Sequence, residues 1–221
     1  FDDADLDKAI EAGMSSKYRN AGQTCVCTNR FYVQAGVYDA FVEKLVAASE
    51  KLTAGNNLEG AHDQGPLINE QALSKVTELV EDARAQGGDV KTGGARKDRD
   101  GVFFRPTVVA NATQNMRIAK EEVFGPVAPV FKFETEAEAI AMANDTAFGL
   151  AAYFCTSDLG RSVRVSEALD YGRVGINEGV SATPEAPFGG CKQSGLGREG
   201  SRHGLDEYLE RKYICTGGLG L

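Results

Sequence analysis

The sequence contains no tryptophan, two histidines and six prolines, and each shortage limits what it can encode. Neither His62 nor His203 lies near a cysteine in sequence, and the five cysteines form no Cys-x-x-Cys pair. Zinc sites need such closely spaced ligands, so we expect no metal. Few prolines and aperiodic glycines exclude collagen-like and low-complexity chains.

Basic residues are also in the minority, because 24 Lys and Arg stand against 32 Asp and Glu, for a net charge of −8. Nucleic acids and anionic membranes attract basic surfaces, so we expect neither as a partner. No apolar run approaches the ~18 residues of a membrane span, and no secretory signal is evident. An odd number of cysteines then favours reduced thiols and a cytoplasmic location. The chain begins with Phe1 instead of Met, so we expect a fragment or a processed product.

The remaining composition is that of a globular protein, with 42% hydrophobic residues in 221. Apolar periodicity alternates between strands and helices, which predicts an α/β fold with a mainly parallel sheet flanked by helices. A Gly/Pro-rich loop over 179–204 interrupts this pattern, and 207–216 is predicted as a final strand. The predicted strands before that loop cover 31–33, 90–92, 106–110, 127–133, 151–156 and 174–177; the predicted helices begin near Leu6, Val37, Leu73, Glu136 and Leu159.

The segment Gly195-Leu196-Gly197-Arg198-Glu199-Gly200 matches the G-x-G-x-x-G pattern of dinucleotide-binding folds. That pattern indicates a cofactor site only between a strand and a helix, with an acidic residue about 20 positions later. Neither condition is met here. We therefore interpret these glycines as a loop that uses positive φ angles.

Cys25 follows the Gly-containing turn Gly22-Gln23-Thr24, where a thiol can face a cleft. A nucleophilic cysteine needs a lowered pKa, and Arg19 is the only cation close by in sequence. From these residues alone, a small buried apolar cysteine remains the more common alternative.

Three motifs stand in order along the chain: Gly22-Gln23-Thr24-Cys25, Glu121-Glu122-Val123-Phe124-Gly125-Pro126 and Pro187-Phe188-Gly189-Gly190. Together they resemble the signatures of the catalytic half of the aldehyde dehydrogenase superfamily, and the likeness covers the whole chain. Within that superfamily, the sequences of residues 19–27 and 192–200 are most similar to those of succinate-semialdehyde dehydrogenases. The resemblance implies a catalytic domain over 1–206 and an oligomerisation strand and tail over 207–221, hence a homo-oligomer. It also implies a cofactor-binding domain N-terminal to this chain and absent from it.

The resemblance assigns roles to individual residues. It implies that Cys25 attacks the aldehyde to form a thiohemiacetal and then a thioester, which water hydrolyses. Glu122 would hold the nicotinamide ribose of NAD or NADP, and Phe124 would pack against the nicotinamide ring. The general base and an oxyanion-binding Asn would lie outside this chain.

Substrate recognition is implied for a second group of residues. Arg19 matches the arginine that binds a distal carboxylate, and Phe188 matches an aromatic of the substrate tunnel. The subfamily also uses a hydroxyl in the loop before Phe188. The matching position is Ala182 or Thr183, so Ser181 or Thr183 would have to supply it.

Cys27 lies two residues beyond Cys25. In an extended segment their Cα atoms would be ~6.6 Å apart, at the upper edge of disulfide geometry, so a bridge would need a local turn. Packing as a small apolar residue is the alternative. Some members of the resembled subfamily use this cysteine pair as a redox switch. On that basis we expect Cys27 to form a reversible disulfide with Cys25 that inactivates the nucleophile.

The sequence therefore predicts NAD(P)-dependent oxidation of succinate semialdehyde to succinate, carried out through Cys25. Another ω-carboxyl aldehyde such as glutarate semialdehyde is an alternative substrate, because Arg19 would serve it equally. A non-enzymatic α/β binding module with a structural Cys25 is the alternative from another class.

Overall fold

The computed structural model describes residues 1–98, 101–180 and 183–220, and a four-stranded sheet forms their centre. Its strands are β1 (Phe31–Gln34), β2 (Asp89–Thr92), β3 (Thr107–Ala112) and β4 (Val127–Phe133), in the spatial order β1-β4-β3-β2. Strands β1 and β3 run parallel to β4, whereas β2 is antiparallel to β3. The predicted mainly parallel sheet is therefore confirmed.

In the part of the chain that the structure describes, six α-helices surround the sheets, most of them close to where the apolar spacing predicts them. They are α1 (Leu6–Tyr18), α2 (Tyr38–Ser49), α3 (Glu70–Ala85), the one-turn α4 (Arg117–Lys120), α5 (Glu136–Asn144) and α6 (Leu159–Ala168). The Asp5 side chain accepts hydrogen bonds from the backbone of Asp7 and Lys8 at the start of α1. Thr135 caps α5 by accepting from the Glu138 N–H, as its capping-box sequence predicts.

The core has two layers, one on each face of the central sheet. Val108 packs with α1 and α2 on one face, whereas its neighbour Val109 packs with α3 on the other. Adjacent strand residues point to opposite faces, so a strand covered on both sides is apolar at consecutive positions. This explains why β4 is buried at every position except Lys132.

The rest of the chain forms two small sheets beside α5 and α6. Strand β6 (Ala152–Phe154) runs parallel to β7 (Val174–Ile176), and β5 (Phe148–Gly149) is antiparallel to β8 (Cys191–Lys192). Asp3 connects the start of the chain to this region, since its carboxylate accepts from Thr156 Oγ1 at 2.6 Å. Desolvation raises the pKa of Asp3, but hydrogen bonds from Thr156 and Ser157 and the charge of Arg161 outweigh it and lower the pKa to about 2.

The predicted strand over 207–216 is wrong for the single chain. Arg202–Tyr208 forms a 3₁₀ helix, and residues 209–220 are exposed without regular secondary structure. A strand needs a hydrogen-bonding neighbour, and none of the described strands lies beside this segment. Its pairing with a second subunit stays a prediction. Within the described residues, no helix has the length and apolar character needed to cross a membrane.

Candidate active site

Cys25 lies exposed on the loop between α1 and β1. The loop leaves the helix through three consecutive residues with left-handed backbone: Asn20 at φ 52°, Ala21 at φ 55° and Gly22 at φ 74°. A tight turn follows, in which the Cys27 N–H donates to the Thr24 carbonyl at 3.1 Å. Cys25 is inside that turn and therefore points away from the core.

Gly22 brings two of the sequence motifs into direct contact. A Cβ atom at this position would lie 2.1 Å from the carbonyl oxygen of Gly125, so only glycine allows the approach. The Cys25 loop consequently packs on the backbone of the Glu121–Pro126 segment. The fold thus places the first two motifs side by side.

Asn29 fixes the same segment from the other side. Its Nδ2 donates to the Glu121 carbonyl at 3.2 Å, and its Oδ1 accepts from the Val123 N–H at 2.8 Å. Glu122, between these two contacts, is exposed. Phe124 is 39% exposed at φ 50°, an unusual backbone conformation for a bulky residue. Sequence reasoning missed Asn29, because it belongs to none of the motifs.

Two further contacts hold the Cys25 loop in place. The Gln23 amide donates to the carbonyls of Asn20 and Pro66 and accepts from the Ile68 N–H at 2.9 Å. On the opposite side, the Tyr153 hydroxyl donates to the Val26 carbonyl at 3.1 Å. Contacts to the loop thus come from three separate parts of the chain.

A cleft of about 500 Å³ opens beside the loop, and Cys25, Cys27, Glu122 and Glu178 all line it. Cys25 therefore shares a cleft with Glu178 and Gly179, at the start of the 178–188 loop. Among the other predicted substrate residues, Phe188 is half-buried and Thr183 is exposed, while Ser181 lies outside the described residues. Arg19 is exposed at the C-terminal end of α1.

Comparison with known proteins identifies the family of the chain. The sequence model described as the aldehyde dehydrogenase family matches residues 1–214. The chain belongs to the aldehyde dehydrogenase family.

Individual relatives cover the chain almost completely. Glutarate-semialdehyde dehydrogenase of Pseudomonas aeruginosa is 57% identical over 99% of the chain, and the NADP(+) succinate-semialdehyde dehydrogenase GabD of Escherichia coli is 57% identical over 98%. A crystal structure of succinate-semialdehyde dehydrogenase from Burkholderia pseudomallei superimposes with a TM-score of 0.95 at 56% identity, covering 98% of this chain and 45% of that one. The chain likewise spans 45% of the length of both relatives.

All five cysteines of this aldehyde dehydrogenase chain are free thiols. The Cys27 sulfur lies 2.7 Å from the Thr24 hydroxyl and 3.8 Å from the Arg19 carbonyl oxygen. The segment from Cys25 to Cys27 is turned and not extended, which is the local geometry that a bridge between them would need.

A buried lysine lies beneath the loop. Lys17, in the last turn of α1, is 1% exposed. Burial lowers the pKa of Lys17 to about 8, although the nearby charges of Cys27 and Glu122 act in the opposite direction. The loop therefore has a titratable cation behind it that the sequence motifs did not reveal.

The G-x-G-x-x-G segment is a loop, as interpreted from the sequence. Gly195, Gly197 and Gly200 have φ angles of 112°, 78° and 68°. The segment follows the two-residue strand β8 and continues into turns and the 3₁₀ helix, so it lacks the strand–turn–helix context of a dinucleotide site.

Proposed function

We propose that this chain is the catalytic part of an NAD(P)-dependent aldehyde dehydrogenase that oxidises succinate semialdehyde to succinate. The observation that carries the proposal is the exposed Cys25 on a turn fixed against the Glu121–Pro126 segment, at the edge of a cleft. The 57% identity to the GabD enzyme supports the choice of aldehyde.

In this mechanism the Cys25 thiolate attacks the carbonyl carbon of the aldehyde and forms a thiohemiacetal. The backbone N–H of Cys25 donates to the developing oxyanion. The guanidinium of Arg19 binds the distal carboxylate of the substrate, and Phe188 lines its path. Ser181 or Thr183 supplies a hydroxyl to the same carboxylate.

Glu122 on the cleft and Phe124, two residues further along the same segment, fit a nicotinamide cofactor. The exposed carboxylate of Glu122 can accept hydrogen bonds from ribose hydroxyls, and the exposed ring of Phe124 offers an apolar face to a flat heterocycle. NAD or NADP, when bound, supplies the acceptor for the hydride of the thiohemiacetal. As the family resemblance implies, we propose that the remainder of the cofactor binds to a separate N-terminal domain of the full-length protein; this chain spans 45% of the length of its relatives. We further propose a homo-oligomer that uses the 207–221 segment.

Steady-state kinetics of the full-length protein test this function. We expect NAD(P)H formation from succinate semialdehyde with a kcat/KM well above that for butanal, a four-carbon aldehyde with a methyl group in place of the carboxylate. Glutarate semialdehyde belongs in the panel because one relative at 57% identity carries that name. The 221-residue chain alone should undergo alkylation at Cys25 but produce no NAD(P)H. A thiol that stays inert to iodoacetamide would favour the non-enzymatic binding module.

Arg19→Gln separates substrate recognition from chemistry. Loss of a charge-assisted contact to the carboxylate should lower kcat/KM for succinate semialdehyde by about one to two decades and spare butanal. Equal losses for both aldehydes would show that Arg19 supports the loop and does not bind substrate.

Cys27 provides the proposed redox control. Peroxide would oxidise the Cys25 and Cys27 thiols to one disulfide, with hydrogen peroxide reduced to two waters, and the nucleophile would be lost until dithiothreitol reduces the bond. Cys27→Ser should instead proceed to irreversible oxidation of Cys25. Equal recovery of variant and parent after reduction would assign Cys27 to packing alone.

A further inference from the structure

Arg173 lies beside Phe188, one of the predicted substrate residues, and the sequence motifs give it no role. Its backbone is fixed immediately before β7, where its carbonyl accepts from the Ala152 N–H at 2.9 Å. The preceding Gly172 packs on the third motif, since a Cβ there would lie 2.0 Å from the Gly189 carbonyl oxygen. Arg173 therefore has a defined position against the 188–190 loop.

The side chain of Arg173 extends over the ring of Phe188, with Cζ 5.5 Å from the ring centroid. A guanidinium in this position interacts with the aromatic ring through the ring face. The ring holds the guanidinium over its face, and within the described residues no hydrogen bond occupies its N–H groups, so they can donate to an oxygen anion. An oriented, available fork of donors is what bidentate recognition of an anion requires.

Arg173 differs from the other half-buried arginines of the described chain, each of which donates to a protein carbonyl or carboxylate. These are Arg30, Arg96, Arg161 and Arg198. Within the described residues, no hydrogen bond or ion pair joins the Arg173 guanidinium to another side chain or carbonyl. A partly desolvated guanidinium without an anionic partner favours binding of an anion from outside the chain.

Tyr153 connects this arginine to the Cys25 loop. Its ring lies against Gly175 in β7, two residues beyond Arg173, at 2.8 Å from an added Cβ. Its hydroxyl donates to the carbonyl of Val26, the residue next to Cys25. Burial raises the pKa of Tyr153, while the positive charges of Arg173 and Arg19 oppose that increase. The positive charges of Arg173 and Arg19 therefore both favour ionisation of the Tyr153 hydroxyl, which donates a hydrogen bond to the Cys25 loop.

We propose that Arg173 is a specificity-determining residue that, with Arg19, binds the distal anionic group of the aldehyde substrate. The substrate class is an aldehyde with an oxyanion at the end opposite the carbonyl, and two guanidiniums can contact the oxygens of that group from two sides. This inference rests on the proposed function for its substrate, but the effect of the Arg173 and Arg19 charges on the reactivity of Cys25 is a separate property that can be measured without turnover.

The first test compares charged and uncharged aldehydes in the full-length protein. Arg173→Gln should lower kcat/KM for succinate semialdehyde roughly tenfold through KM, with little change for butanal. Arg173→Lys, which keeps the charge but not the planar fork, should recover part of the loss. Arg105→Gln is the matched control, because Arg105 is exposed and lies outside the site. Equal losses for both aldehydes, or none, would overturn the proposal.

The second test measures the charge preference of Cys25 itself. We would compare its alkylation rates with iodoacetate, which is anionic, and iodoacetamide, which is neutral, and locate the label by mass spectrometry. The ratio of the two rates should fall about threefold to tenfold in Arg173→Gln and in Arg19→Gln, and stay constant in Arg105→Gln. An unchanged ratio in Arg173→Gln would overturn the proposal. A protein that oxidises no aldehyde but shows the fall would disprove the proposed function while leaving the anion-binding pair in place.

Discussion

The central sheet and the Cys25 loop are stabilised by different kinds of contact. Val108, Val109 and Phe131 are 0% exposed and pack through apolar side chains from both faces of the sheet. The loop depends on a close backbone approach at Gly22 and on side-chain hydrogen bonds to backbone groups, such as those of Asn29. Apolar packing tolerates exchange of one side chain for another of similar volume, whereas a backbone approach that leaves no room for a Cβ tolerates only glycine.

The largest expected effect is that of replacing Cys25, which should abolish activity without changing the stability of the fold. Cys25→Ser in the full-length protein should lower kcat/KM roughly 10⁴-fold or more, because the hydroxyl is a far weaker nucleophile at neutral pH. The exposed side chain makes few packing contacts, so the denaturant midpoint should stay within error of the parent. A variant that keeps a tenth of the parent activity would remove Cys25 from the mechanism.

Gly22→Ala tests the backbone contact between the two motifs. The new Cβ would meet the Gly125 carbonyl in a left-handed conformation, and we expect a loss of about 3–4 kcal/mol in the free energy of unfolding. Gly36→Ala is the matched control, since nothing lies within 4 Å of its Cβ position. Similar urea midpoints for the two variants would show that the loop does not need the close approach.

Lys17→Met tests the buried cation beneath the loop. The pKa of Lys17 falls from 10.5 in the unfolded chain to about 8 in the folded one, so between these values the unfolded chain binds more protons and the parent gains stability as pH rises. Methionine avoids the cost of a buried charge. The variant should therefore be more stable by about 3 kcal/mol at pH 7, with the advantage vanishing near pH 10.5.

Lys8→Met is the control for that experiment, because the Lys8 side chain is 78% exposed. Urea denaturation of all three proteins across the pH range provides the measurement. A constant difference between Lys17→Met and the parent at every pH would mean that Lys17 titrates alike in the folded and unfolded chains.

The smallest expected effect is that of replacing Asn29, which tests whether this residue positions the Glu122 segment in addition to stabilising the fold. Asn29→Ala removes two hydrogen bonds and should cost about 1–2 kcal/mol of unfolding free energy. Asn144→Ala removes an equivalent pair of contacts, to Ala168 and Asp170, far from the cofactor residues in sequence. Only Asn29→Ala should also raise the KM for NAD(P), because it alone frees the Glu122 segment. Matching increases in both variants would attribute the effect to general loosening of the fold.

Much of the fold could be predicted from the sequence, because local signals and burial agreed. The helix at 6–18 follows from the Asp5 cap and from apolar residues at Leu6, Ile10 and Met14. Strand β4 coincides with the apolar run 127–133, since a strand covered on both faces has no other pattern. The strand at 207–216 failed because its apparent β pattern has no neighbouring strand within the chain.

Only some residues of the candidate site could be predicted from the sequence. The motifs located Cys25, Glu122 and Phe188, because short segments with unusual glycines and fixed order are visible in one dimension. Asn29 and Arg173 were not, since an isolated Asn or Arg is usually a solvated surface residue. Nothing local reveals that Asn29 bonds to residues 121 and 123, more than 90 positions away.

The sequence by itself determined the longer helices and the strands of the central sheet, and the turn that carries the Cys25 thiol. Those properties depend on neighbours within a few residues and on the period of apolar side chains. Only the tertiary structure decided that Gly22 touches Gly125, that Lys17 is buried beneath the loop, and that Arg173 stacks on Phe188 without a partner among the described residues. Close backbone approach, desolvation of a charge and the pairing of distant side chains arise when separate elements pack together, so no local pattern encodes them.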